Sequence, residues 1–105
     1  MNVRSILFAV ALIATPVAAS GQDAMTEHQA AMDTMMSSMH GMKSMGNPDM
    51  DFSMMMIPHH QSAIDMAKVQ LKYGKDPEMR ALAEKIIADQ EREIAEMKAL
   101  LAERK

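Results

Sequence analysis

From Pro48 onward, apolar residues return every three or four positions, the spacing of amphipathic helices. One stripe reads Phe52, Met55, Met56, His59, Ala63, Met66, Ala67 and Gln70; a second reads Met79, Leu82, Ala83, Ile86, Ile87, Ile94, Met97 and Leu101. Gly46-Asn47-Pro48 is a turn in which Asn47 caps and Pro48 takes the first helical position. Gly74 closes that helix after Tyr73, and Asp76-Pro77-Glu78 opens the next with a cap, a proline and an acidic first turn. The pattern predicts helices over 48–73 and 77–103, with Pro58 kinking the first of them just before His59 and His60. Upstream, Thr26 is the expected N-cap of a helix from Glu27 to Met39 or Met45, weakened at its far end by Ser37-Ser38 and Gly41. No segment alternates with a period of two. Short turns make neighbouring helices antiparallel. The expected fold class is therefore all-α, an up-and-down helical bundle of about three helices per mature chain, with dimerisation as a means of completing it.

The N-terminus changes the boundaries of this picture. Arg4, the apolar run Ile6 to Ala14 and the small residues Val17-Ala18-Ala19 form the pattern of a secretory signal peptide over residues 1–19. The apolar run is too short for a membrane span, and no cysteine is present for lipid attachment, so no membrane anchor is expected. The expected organisation is a leader at 1–19, a Met/His-rich segment at 20–47 that is helical or partly disordered, and a helical hairpin core at 48–105. The expected location is the periplasm or the exterior. A chain this small buries a limited core and needs metal, tight packing or a partner to supplement it. Its net charge of −3 falls to −4 once Arg4 leaves with the leader. That balance argues against nucleic acid, which basic patches recognise.

Composition then points to chemistry. The chain has 15 methionines, four histidines and no cysteine. Met54-Met55-Met56-Ile57-Pro58-His59-His60 sets three thioethers beside two imidazoles. Thioether and imidazole donors together suit copper, Cu(I) above all, with Cu(II) or Ag(I) as alternatives. On a helix His59 shares its stripe with Met55, Met56 and Met66 and is expected to face the interior. His60 lies about 100° further round and is expected to face another helix or a second subunit. In the upstream segment Met32, Met35, Met36, Met39, His40, Met42 and Met45 recur at spacings of three and four, wrapping more of the helix than a core stripe needs. These twelve residues are the candidate metal ligands. Against this stands ordinary packing: methionine is a flexible core filler, and Met66, Met79 and Met97 read as core. His28 reads as a solvated histidine. Gln90 and Glu93 fall in or near the apolar stripe of the last helix and need a polar partner there. No Glu-x-x-His or His-Glu-x-x-His motif, phosphate loop or cysteine nucleophile is present, so an enzyme is not expected.

The residues Asp51-Phe52-Ser53-Met54-Met55-Met56-Ile57-Pro58-His59-His60-Gln61-Ser62-Ala63-Ile64-Asp65-Met66-Ala67 resemble the signature of the domain-of-unknown-function family numbered 305. Tyr73-Gly74, Asp76-Pro77, Ala83, Ile86, Ile87, Gln90, Glu93, Ile94 and Met97 resemble its second part, so the likeness runs from about Asp49 to Leu101. The resemblance implies a secreted, ferritin-like helical protein whose shared core includes His59, His60, Met55, Met56 and Met66. Some members, called CopM, are periplasmic copper-binding proteins linked to copper resistance. The Met25–Met45 segment lies outside the likeness, and its copper role rests on ligand chemistry alone.

The functional expectation is a periplasmic copper-binding protein for scavenging, transfer or resistance, with a copper transporter or chaperone as its partner. A methionine-rich interaction module without catalysis is the alternative from another class, and a cuprous oxidase is a third reading.

Overall fold

The structure is a computed structural model that describes residues 17–104. Most of the expected leader lies outside them. Three helices follow in order: α1 (Val17–Met39), α2 (Pro48–Tyr73) and α3 (Pro77–Glu103). The fold is all-α, as the periodicity predicts.

Local chemistry fixes both ends of α2 and the start of α3. The Asn47 side chain accepts from the Asp49 N–H at 2.9 Å, Pro48 opens the helix, and Asp49 and Asp51 place negative charge in its first turn. Asp76 caps α3 by accepting from the Met79 N–H at 2.8 Å. Pro58 lies inside α2, and the helix continues through it. At the far end, the Gly74 N–H donates to the Gln70 carbonyl at 2.7 Å. Gly74 has a φ of −73°, so its conformation is open to any residue. The glycine is required by proximity instead: a Cβ there would stand 2.6 Å from the Gln70 carbonyl oxygen. Arg80 reaches back from α3 and donates to the Leu71 and Gly74 carbonyls at 2.7 and 2.9 Å, satisfying acceptors the helix end leaves open.

Two upstream expectations change. Helix α1 begins well before Thr26, whose hydroxyl donates to the Gln22 carbonyl at 3.0 Å within the helix instead of capping it. Ala18, Ala19 and Ala24 ahead of it are good helix formers, and no proline intervenes. The helix then ends at Met39, because Gly41 takes a φ of +107°, and His40, Met42 and Met45 fall in the connection to α2. Asp51 ties that connection down: the Ser44 hydroxyl and the Met45 N–H donate to its carboxylate at 2.6 and 2.7 Å.

These two donors, the Ser44 hydroxyl first, hold the Asp51 carboxyl below the usual aspartate range. A depressed carboxyl stabilises the connection above its unfolded pKa and loses that effect as pH falls through the folded one. The Met45 amide should stay protected from hydrogen exchange at neutral pH and exchange faster only below about pH 4. Asp51→Asn should remove this pH dependence. Unchanged protection of the Met45 amide in that variant would contradict the assignment.

Helix α2 is the middle member. It packs on α1 and on α3, and α1 and α3 do not meet. The buried positions of α2 show why. His60, Ile64, Ala67, Met50 and Ser53 lie toward α3, whereas Ser62 and Val69 lie roughly half a turn away. The His60 ring meets Glu93 of α3, and the Ser62 hydroxyl faces the Ala31 carbonyl of α1 at 3.5 Å. Because α1 and α3 do not meet, the three-helix bundle is open, a single layer of helices. The core is correspondingly thin: its apolar members are Ala31, Met50, Ile64, Ala67, Val69, Ala83 and Met97. No helix among the described residues is long and apolar enough to cross a membrane.

Candidate metal centre

The layered arrangement decides where the expected ligands point. The α2 stripe of Phe52, Met55, Met56, His59, Ala63, Met66 and Gln70 falls between the two clasped sides. His59 is therefore exposed, and the expectation that it faces the interior is corrected. Its neighbour takes the inner place. His60 is 8% exposed, and its Nε2 pairs with the Glu93 carboxylate on α3. The expectation that His60 turns to another helix holds. Its Nδ1 is buried and has no hydrogen-bond partner. The two rings lie 6.3 Å apart at 58°, facing different surroundings.

On α1 the methionines do not wrap the helix. Met25, Met32, Met35, Met36 and Met39 fall within roughly a third of its circumference. Met35 and Met39 are half-buried, while Met25, Met32 and Met36 are exposed. The opposite flank carries Glu27, which accepts from Lys72 Nζ of α2 at 2.8 Å. That pair, Lys72 above all, holds the Glu27 carboxyl below its usual range. It also marks the polar side of the layer, so the α1 methionines share the other side with the α2 stripe. His28, expected to be solvated, is half-buried with its Nδ1 enclosed and unpartnered.

The connection sets a further methionine beside α2. Met42, Met54 and Met55, with Lys43, Ser44 and Asp51, line one depression of about 230 Å³. Met42 and Met55 belong to the expected ligand set; Met54 does not, because a helical wheel turns it away from His59. The wheel carries no signal for it, since the partner comes from the folded connection, not from α2. His40 and Met45 are exposed and line no part of this depression.

Three methionines lining one depression make it the candidate place for a soft, monovalent ion. Among the described residues, no three imidazole or carboxylate side chains gather at one point. Of the two polar residues in or near the α3 stripe, Glu93 finds its partner in His60 of α2. Asp89, its like-charged neighbour, pairs with Lys85 and with Arg92, which lower its pKa in that order.

A family model described as "Domain of unknown function (DUF305)" matches residues 10–101. The match begins well before Asp49 and so takes in α1 and its methionines, a wider span than the sequence motif suggests. The chain is also similar to the "Uncharacterized protein L153" of Acanthamoeba polyphaga mimivirus, 50% identical over 50 residues. That alignment covers 48% of this chain and 33% of the relative, so the match spans about a third of the relative's length.

Proposed function

The chain belongs to the DUF305 family, and from its own residues we propose that it binds copper. Cu(I) is held by methionine thioethers with histidine help; Cu(II) takes the histidines. The observation that carries this reading is that Met42, Met54 and Met55 all line one depression. Thioethers are soft and polarizable, and unlike thiols they do not form disulfides in an oxidising compartment. A second pool is formed by the residues that periodicity puts on the open side: His59, Met55, Met56 and Met66 of α2, and Met32, Met36 and Met39 of α1. His60 is turned to α3, its Nε2 held by Glu93. The role is that of a CopM-like periplasmic or secreted protein for copper scavenging, transfer or resistance, handing the ion to a transporter or chaperone.

Competition for Cu(I) against a chromophoric chelator tests the reading. The protein should compete at micromolar affinity or better, about −8 kcal/mol or stronger. Replacing Met42, Met54 and Met55 together by Leu keeps side-chain volume and removes sulfur. That variant should retain its helical circular dichroism and lose at least tenfold in Cu(I) affinity. Unchanged affinity would exclude this depression as the site, and failure of the native chain to compete would end the copper reading. A methionine-rich interaction module behaves oppositely: Leu at these positions preserves an apolar contact surface, and partner binding survives.

A further inference from the structure

The open layer has two unlike sides. One carries Gln61, Asp65, Lys68 and Lys72 of α2, with the Glu27–Lys72 ion pair. The other carries Phe52, Met55, Met56, His59, Ala63 and Met66 of α2, flanked by the α1 methionines and by Met79, Leu82 and Ile86 of α3. Phe52 is 62% exposed and Met79 58%; Met25, Met32, Met36 and Leu82 are each about half exposed. A soluble monomer rarely shows a contiguous apolar patch beyond a few hundred Å². With side chains of this kind offering on the order of 200 Å² each, Met25, Met32, Met36, Phe52, Met55, Met79 and Leu82 expose on the order of 700 Å². One partner of a stable interface buries about that much.

We propose that this side is covered by the same side of a second copy. The surface is self-complementary along α2. Phe52 projects near its N-terminal end. Toward its C-terminal end, Ala63, Met66, Ala67 and Gln70 form, with Met79, Leu82, Ala83 and Ile86 of α3, an apolar groove of about 330 Å³. Knob and groove lie on opposite sides of the middle of α2. A two-fold axis across that middle, which sets the two α2 helices antiparallel, brings each Phe52 over the other copy's groove. This is the condition for a closed, isologous pair. Charge agrees: α1 contains no lysine or arginine, and both lysines of α2 lie on the other side. An anionic membrane surface attracts basic residues, and this side offers none from α1 or α2. The pairing also supplies the burial that a three-helix layer lacks, giving six helices in two layers around a common core.

This inference goes beyond the copper reading and does not depend on it. Sedimentation equilibrium of the full chain with a metal chelator present should give twice the chain mass at tens of micromolar protein. Phe52→Glu and Leu82→Glu, one on the knob and one on the groove wall, should each give the single chain mass with helical circular dichroism retained. Lys68→Glu on the polar side should leave the pair intact. A native chain that sediments as a monomer overturns the proposal, as does a Phe52→Glu or Leu82→Glu variant that still pairs. A monomer that instead co-sediments with phosphatidylglycerol vesicles would assign the surface to a membrane and overturn it too. A dimer that binds no Cu(I) would sink only the copper reading; a monomer that binds it would sink only the dimer.

Discussion

Ile64→Ala should remove more than half of the folding free energy of this protein. Ile64 is the most enclosed apolar side chain of the described core, 2% exposed. It lies one helical turn from His60 on the α3 side of α2. Truncation to Ala removes three carbons, worth about 0.8 kcal/mol each on transfer, and leaves a cavity. Large-to-small changes at such sites cost about 2–5 kcal/mol, and a single core of this size supplies only about 3–5 kcal/mol in all. The expected result in urea is a midpoint shifted far below that of the native chain, or a chain unfolded without denaturant. Both chains must be compared at one protein concentration, because pairing of copies would make stability concentration-dependent. A loss under 1 kcal/mol would mean that Ile64 is not the keystone its burial indicates. Phe52→Ala in the same assay should cost far less per isolated chain, because most of Phe52 is already in water.

The helices were legible because their signals are local. Asn47-Pro48 and Asp76-Pro77 encode caps that work within four residues, and both appear in the structure as read. Helix α1 was misjudged at its start because Thr26 can cap or simply continue a helix by bonding four residues back, and the pattern does not separate the two. Arg80 carried no signal: its partners are backbone carbonyls, which have no letter in a sequence. The largest departure concerns His59 and His60. Periodicity correctly sets them about 100° apart, but it cannot say which direction is inward. That is decided by α1 and α3 clasping α2 from opposite sides, a tertiary fact. The apolar stripe that His59 shares with Met55, Met56 and Met66 is expected to face the interior, yet Phe52, Met55 and His59 on it are exposed in the single chain. A second copy over this side would bury it, which is a tertiary or quaternary fact that periodicity does not encode.

Glu93→Ala should separate the structural role of His60 from the metal-binding role proposed for His59. In the native chain Glu93 pairs with His60 Nε2, while Nδ1 is already enclosed and unpartnered. Removing the carboxylate leaves both ring nitrogens of a buried imidazole without a protein partner. A buried polar group stripped of its partner costs about 1–3 kcal/mol, a large share of what so small a core supplies. Glu93 is itself 46% exposed, so much of its own charge stays hydrated, and the cost falls on the ring that remains. Glu93→Gln keeps an acceptor oxygen for a neutral His60 and should recover part of the loss. His59→Ala, at a position exposed in the single chain, should leave the stability of the isolated chain within about 0.5 kcal/mol of native while weakening Cu(II) binding. Thermal denaturation and copper titration of the three variants therefore read out different things. The Glu93 changes move the melting transition first, and the His59 change moves the metal titration alone. If Glu93→Ala left the melting transition in place yet abolished copper binding, the carboxylate would be a ligand in its own right. The His60–Glu93 pair would then belong to the metal site and not to the scaffold beneath it.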